Sequence, residues 1–598
     1  MIDDTEFSVE RRETSQMIRS ARHLFTTPPA WTSAWLDNQK LDRSLDEIEG
    51  QNLVIDIVYT WVNGSDPKLQ AIKERYQEDS PFFKTFRSNP RNMFKASSGS
   101  SRDSDQTANR FRDMDELRYS IRSASQYANR LFSRIHILTT TVDDNTIESQ
   151  IPSWLDMDKA KDVVELVPHE VIFESSSDLP SFNSLSIESQ IHHIPNITDA
   201  FLYLNDDVFL GTTMLPSDVW TPLYGFVFHM EPTLLVPPTI LDLAQDTLII
   251  GEWNSLQYSN YLLSKQFGPR HRAYLAHVPH VLSAPVLKEI QTIWPEEFNE
   301  TSSHRFRGEG QARDVQVSFF MAHYVLERQR ETQLTSYWLH RLDANQDGVL
   351  DWSEREQLIN RVEQWNKVQA NNPFINNNFH SFLENNADHL RQLGFPPSGS
   401  SVYRLSGLDG YPFMLLRSNT STTIQGASDK TYEAYDETKY RTCQFDIDFC
   451  LSPAFRNSTL EKIDAANSVG IFQRMAFQEF HCGDCLLHIL RRTATESGLG
   501  SEILPLDKES NAYKTITVDM ARYNYVIATS AYSFIQLQEP IESQTSLAQI
   551  LSTKETEAFF CINDNVKDNP QTVDLVQMVF KKFLDERFPI PSPWEKPQ

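Results

Sequence analysis

Leu53-Val54-Ile55-Asp56-Ile57-Val58-Tyr59-Thr60-Trp61-Val62 is an apolar, β-branched run interrupted by one carboxylate, and it stops in Asn63-Gly64-Ser65-Asp66-Pro67. A continuous apolar run closed by turn-forming residues reads as a buried strand and the turn after it. Downstream, Asp113 to Tyr127 has helical spacing, with Leu117, Ile121, Ala124 and Ala128 on one stripe. Three further strands are expected at Arg134–Thr139, Val163–Val167 and Ala200–Leu204. Strands alternating with helices over short connections predict an α/β unit, a largely parallel sheet flanked by helices. Ligands of such sheets bind beyond the carboxyl ends of the strands. Two of those ends carry polar clusters, Asn63-Gly64-Ser65-Asp66 and Asn205-Asp206-Asp207.

The chain has 598 residues, and 55 Lys+Arg against 81 Asp+Glu leave a formal charge of −26. With 40% hydrophobic and 11% aromatic residues it is a folding composition, so the acidity does not signal disorder. An acidic chain lacks the clustered cations that a nucleic-acid backbone requires, and no nucleic-acid partner is expected. No stretch approaches the roughly 20 apolar residues of a membrane span. The greasiest, Leu234 to Ile250, is broken by Pro237, Pro238, Asp242 and Asp246. Met1-Ile2-Asp3-Asp4 is acidic where a signal peptide is basic. Yet all five cysteines (Cys443, Cys450, Cys482, Cys485, Cys561) lie beyond residue 440, and five Asn-X-Ser/Thr sequons occur, at Asn63, Asn196, Asn299, Asn419 and Asn457. Clustering suits one or two local disulfides with a cysteine over, with free thiols or half a zinc site at Cys482/Cys485 as the alternatives. These features lean towards a secretory compartment; an anchor lost from the N-terminus would reconcile them with the missing signal. Along the chain we expect a polar lead-in (1–50), a main domain (52–330), a helix-loop-helix (331–370) and a mixed α+β region (380–598) with every cysteine. A Ser-rich stretch (95–106) reads as a mobile loop within the main domain, and an Asn-rich linker (371–378) precedes the last region.

Three motifs carry chemistry. Asp343-Ala344-Asn345-Gln346-Asp347-Gly348-Val349-Leu350-Asp351-Trp352-Ser353-Glu354 has the form of an EF-hand loop. Asp343, Asn345, Asp347, the Val349 carbonyl, Asp351 and Glu354 would supply oxygen ligands to Ca²⁺, with Gly348 at the sharp turn. In Tyr203-Leu204-Asn205-Asp206-Asp207-Val208-Phe209, adjacent carboxylates follow an apolar strand. Such a corner suits Mg²⁺ or Mn²⁺ held against substrate phosphate, although Asn-Asp-Asp is also a good turn. The third motif is a cationic and His-rich run, Arg270, His271, Arg272, His277, His280, His304, Arg305 and Arg307, with Asp314 beyond it. In an acidic chain that run suits a phosphorylated ligand. Taken singly, each of its histidines also reads as an ordinary core residue.

Read in order, these segments resemble the Stealth family of sugar-phosphate transferases. The first block is matched by Ile55 to Pro67. The second is matched by Arg110-Phe111-Arg112-Asp113-Met114-Asp115-Glu116-Leu117-Arg118 through Ser123, with Ile135–Thr139 and Pro152-Ser153-Trp154-Leu155. The third covers Pro180–Ser184, Ile187-Glu188-Ser189 and Phe201–Gly211. The fourth covers Ala276–His280, Pro295–Phe298, Thr301, Ser302, His304, Arg307 and Asp314, with an echo in Cys561-Ile562-Asn563-Asp564-Asn565. Animal members carry Cys-rich insertions where this chain, between Gly211 and Gly251, has no cysteine. The shorter form is more similar to fungal members.

The resemblance implies a nucleotide-sugar-binding sheet and an enzyme of the xylosyl- or N-acetylglucosaminyl-phosphotransferase type. An acceptor hydroxyl on a mannose-containing glycan or glycoprotein would attack the β-phosphorus of a UDP-sugar, so that sugar-1-phosphate is transferred and UMP leaves. It further implies that Asp207 is base or metal ligand with Asp206 beside it, and that His304 and Arg307 contact the phosphoryl group. Arg272 would assist and Asp314 would orient a neighbour. Asp56, Asn63, Gly64, Asp66, Asn205, His277 and His280 would bind substrate, and Arg118 would neutralise the pyrophosphate. A Golgi or other secretory lumen follows from the family, with membrane association only through an anchor absent from this chain and a homodimer as the assembly to consider. Two alternatives stand beside this: a metal-dependent glycosyltransferase releasing UDP, and a non-catalytic calcium-binding glycan-binding module.

Overall fold

The apolar run that opened the argument folds as strand β1 (Ile55–Thr60), with its first five residues buried. A strand covered on both faces has no solvent side, which is why its sequence does not alternate. The computed structural model describes residues 9–12, 54–88, 111–142, 146–221, 224–238, 252–309, 313–371, 391, 398–409, 422–423, 431–432, 443, 445–494, 499–552, 557–567 and 569–597. The Ser-rich loop and nearly all of the N-terminal lead-in, of the Asn-rich linker and of the second half of Leu234–Ile250 lie outside these residues. Residues 9–12 do dock, through Arg11 to Glu331 and Arg12 to Glu297.

Strand β1 lies between β2 (Phe132–Thr139) and β4 (Ala200–Asn205), with β3 (Val164–Pro168) beyond β2, and all four are parallel. His280–Ser283 closes the other edge, antiparallel to β4. The mixed α/β architecture with a parallel-rich, helix-flanked sheet is therefore as the sequence predicts. Chain order runs outward from β1 through β2 to β3, then returns to the opposite side of β1 for β4. That reversal leaves a crevice outside the carboxyl ends of β1 and β4, the place where such sheets bind ligands. Helix α1 (Pro67–Asp79) follows β1 and is capped by Asp66, which accepts from the Lys68 amide at 2.9 Å, with Pro67 at the first helical position. Helix α2 (Glu116–Tyr127) buries the predicted stripe of Leu117, Ile121 and Ala124.

The C-terminal region is not set apart from the rest. Tyr525–Ser530 pairs in parallel with Gly225–Val236, and Phe559–Asp564 pairs antiparallel with β5 (Val208–Leu210). One hydrophobic cluster runs from Ile55 to Trp594. Composition marks where a segment changes character but not which sheet its strands will join, so the expected boundary at 380 is not a packing boundary. Two disulfides form, Cys443–Cys485 and Cys450–Cys482, and Cys561 stays a buried thiol. Cys482 and Cys485 thus go to different partners, which removes the half-zinc alternative. No described helix is long and apolar enough to cross a membrane.

Candidate active site

At the end of β4 the chain turns through Asp206 and Asp207 into β5. The turn is clamped by the C-terminal strand: the Ile562 amide donates to the Asp207 carbonyl at 3.0 Å, and the Cys561 thiol donates to the Asp207 carboxylate at 3.6 Å. Burial, reinforced by the charges of Asp207 and Asp113, pushes Asp206 up to about 8. Glu116 at the start of α2 is buried, and burial with the charges of Asp206 and Asp113 holds it well above the carboxylate range. Asp113 and Glu116, whose site role the sequence left unmarked, complete a four-carboxylate corner. The turn after β1 reaches the same loop. A Cβ at Gly64 would lie 1.8 Å from the Phe111 carbonyl oxygen, so only glycine lets these backbones meet. Asn63 is held there by Gln150 and the Ser149 carbonyl, at 2.7 and 2.9 Å. Asp66 caps α1 and accepts from Gln150 at 3.1 Å, so it shapes the turn.

A polar relay joins this corner to the cationic segment. The Tyr203 hydroxyl donates to Asn205 Oδ1 at 2.8 Å, lies 3.2 Å from Thr60 Oγ1 and hydrogen-bonds with Glu188. Glu188 and Ser184 sit four apart on one face of the short helix α3 (Ser184–Glu188), capped by Asn183. Burial and then the charge of Glu252 push Glu188 up to about 7, against the pull of Arg307, Tyr203 and Ser184. Arg307 donates to Ser184. Asn183 donates to Asp314 at 3.0 Å and to the His304 carbonyl at 3.2 Å, and His304 Nδ1 meets Asp314 at 2.5 Å. Burial opposes a charge on His304, but the Asp314 hydrogen bond and charge outweigh it and raise its pKa. His280 lies opposite Tyr203 on the edge strand and is pushed down to about 4, first by burial. His277 is lowered by burial; its Nε2 is 3.2 Å from the Tyr274 hydroxyl and its ring 4.6 Å from Phe534.

The structure thus gathers Asn63, Gly64, Asn205, Asp206, Asp207, His277, His280, His304, Arg307 and Asp314, and adds Glu188, Asp113, Glu116 and Glu252. It sets three expected residues elsewhere. Asp56 sits four residues before Thr60, about 13 Å back along β1. There it accepts from Arg134 and Thr198 at 3.0 Å, with His136 at 3.2 Å. Arg118 is taken by Glu595 at 2.8 Å. Arg272 is fully buried, donating to Glu327 at 2.6 Å and to Ser264 at 2.8 Å. In each case the charge is satisfied inside the fold, a pairing across the chain that spacing does not display.

In the 343–354 loop, Asp343 accepts from the amides of Asp347 and Gly348 at 3.2 and 2.8 Å. Asn345 and Asp347 accept from the amides two residues on, at 2.9 and 2.8 Å. Glu354 reaches back to the amides of Ala344 and Asp351, both at 3.0 Å. Gly348 has φ +76°, which explains glycine at the sixth position. Glu354 is raised, by burial first and then by Asp351 and Asp343. Among the described residues, no three His, Cys, Asp or Glu side chains already converge tightly enough to hold a metal ion, here or at the crevice.

Fold and site together define an α/β protein with a charge-dense crevice at the topological switch point of a parallel sheet. The chain belongs to the Stealth family, since it carries all four of that family's conserved regions: region 1 at 54–80, region 2 at 110–226, region 3 at 276–327 and region 4 at 549–598. It is 32% identical over 273 residues to an exopolysaccharide phosphotransferase of Streptomyces coelicolor, covering 45% of this chain and 38% of the relative. It is 28% identical to the 3-O-alpha-D-mannopyranosyl-alpha-D-mannopyranose xylosylphosphotransferase of Cryptococcus neoformans, over 55% of this chain and 36% of that protein. An exopolysaccharide phosphotransferase of Mycobacterium tuberculosis matches at 31%, over 45% of this chain and 43% of its own length. The chain spans less than half the length of each of these relatives.

Proposed function

We propose that this chain transfers a sugar-1-phosphate from a UDP-sugar to a hydroxyl of a mannose-containing glycan, with UMP as leaving group. The observation that carries the reading is the relay from Asn205, next in sequence to Asp206–Asp207, through Tyr203 and Glu188 to the Ser184–Arg307 pair, with the His304–Asp314 pair held beside it by Asn183. Phosphoryl transfer requires positioning, a proton acceptor and positive charge around the transferred group. Asp207 or Glu188 takes the acceptor proton; a carboxyl poised near 7 exchanges protons readily at neutral pH. Arg307 and protonated His304 face the phosphoryl oxygens, and Asn63 and Gly64 shape the nucleotide end of the crevice. Asp206 and Asp207 would hold Mg²⁺ or Mn²⁺, which bind through one or two carboxylates plus substrate phosphate. The crowding of like charges around Asp206 fits that donor set. When bound, the cation neutralises charge on the diphosphate.

The 343–354 loop would take Ca²⁺ through Asp343, Asn345, Asp347, the Val349 carbonyl, Asp351 and Glu354. Its all-oxygen donors and the glycine turn support that assignment. The two disulfides favour an oxidising compartment such as the Golgi lumen. A donor screen with purified protein, a mannoside acceptor and Mn²⁺ or Mg²⁺ decides the reaction. UMP and a phosphodiester are expected by mass, whereas UDP would point to glycosyl transfer.

A further inference from the structure

Beside the carboxylate corner lies a separate cleft of about 140 Å³. One wall is polar: Tyr532 donates to Glu231 at 3.2 Å, and the Ser530 hydroxyl is buried without a hydrogen-bond partner among the described residues. Ala276, Val278 and Ala528 form apolar lining. A surface with hydroxyl-binding groups on one side and small apolar groups on the other matches a sugar ring, which offers hydroxyls at its rim and C–H bonds on its face. The volume is below the roughly 300 Å³ at which drug-sized sites begin, so one ring fits and a chain of them does not. A carboxylate on the wall favours hydroxyl donors and repels phosphate, which separates this cleft from a nucleotide site.

Its position ties it to the reacting centre. Ala276 and Val278 flank His277, whose ring packs on Phe534. Tyr532 and Phe534 share a strand that pairs with Phe559–Asp564, and there Cys561 touches Asp207. We propose that this cleft is a monosaccharide subsite. It holds one neutral pyranose ring of donor or acceptor, with Glu231 and Ser530 on the hydroxyls and the alanine–valine wall against the ring face. The inference rests on the phosphotransferase reading for its role, but sugar binding is measurable without turnover.

Saturation-transfer NMR on the full chain, with methyl α-mannopyranoside, xylose and N-acetylglucosamine as probes, tests it. At least one probe is expected to receive magnetisation, and Glu231→Gln and Ser530→Ala should each weaken that sugar about tenfold, the scale of a lost charged or buried hydrogen bond. In steady-state assays the same variants raise KM for the acceptor alone if the cleft holds acceptor, or for the UDP-sugar alone, with UMP inhibition unchanged, if it holds the donor ring. No transfer to any probe in wild type overturns the proposal. So does wild-type binding and unchanged KM for both substrates in variants that melt normally. A wild-type chain that binds a sugar yet releases no UMP from any donor would instead sink the phosphotransferase reading and leave the subsite standing.

Discussion

Arg270, Arg272, Glu327, Arg330 and Asp484 are as deeply buried as Glu116 and Glu188, yet the two groups of charge are built in opposite ways. In the first, each carboxylate answers two guanidiniums: Glu327 meets Arg272 and Arg270 at 2.6 and 3.2 Å, while Asp484 meets Arg270 at 2.7 Å and also Arg330. In the second, carboxylate faces carboxylate. The side-chain charges acting most strongly on Asp206 are those of Asp207 and Asp113, and Glu188 feels Glu252 before it feels Arg307. Balanced buried charge holds elements together and leaves nothing over for a ligand. Unbalanced charge costs stability in the empty protein and is relieved by whatever brings the opposite sign. The comparison also explains why a cationic run in the sequence divides in two, with Arg272 structural and Arg307 at the crevice.

Substitutions should separate the two regions cleanly. Asp207→Asn is expected to lower UMP release by about 10²–10⁴-fold, the usual worth of a positioned proton acceptor, with an unchanged or slightly higher melting temperature because a like charge is removed. A melting temperature that falls with the activity would make the corner structural too. Asp484→Ala does the reverse. It takes from Arg330 its carboxylate and from Arg270 one of its two, both in the core, and costs about 3–5 kcal/mol by thermal or denaturant unfolding, while UMP formed per folded molecule holds.

Much of this division was legible in the residues and part was not. The apolar runs of β1 and β4, the stripe of α2 and the turn clusters at both strand ends gave the sheet and its crevice, because burial and turn chemistry are local properties. Asp206, Asp207, His304, Arg307 and Asp314 stand out in the sequence as candidates because they lie in motifs. Glu188 passed unremarked as a site residue, since its importance comes from Tyr203, Ser184, Arg307 and Glu252 meeting around it, a tertiary fact. The same holds, inverted, for Asp56, Arg118 and Arg272: each has a charged appearance in sequence that a distant partner cancels.

Glu188 offers a finer probe of the unbalanced region. Its carboxyl keeps its proton up to about pH 7, so a role as proton acceptor makes the reaction fall away below that pH and run above it. Glu188→Gln should lower turnover by about 10²-fold or more and flatten the acid limb of the profile. A full limb surviving in the variant assigns it to another group.

The smallest effect is expected where charge is unbalanced but distributed along a loop. Asp343, Asp347, Asp351 and Glu354 turn their oxygens to backbone amides, and Leu350–Asp351 pairs with Lys462–Ile463, close in sequence to the disulfide-bonded Cys450. Calcium there would fasten this ladder and the elements around it, leaving the reaction to the crevice. Saturation at a hundred times Kd adds about 2.7 kcal/mol to the folded state, so a chelator should lower the melting temperature by a few degrees in wild type and not in Glu354→Gln. UMP formed per folded molecule, with Mg²⁺ or Mn²⁺ kept constant, should stay the same. If chelation that spares Mg²⁺ stops the reaction without shifting the melting curve, the loop belongs with the acidic corner and the line between fastening charge and working charge must be redrawn.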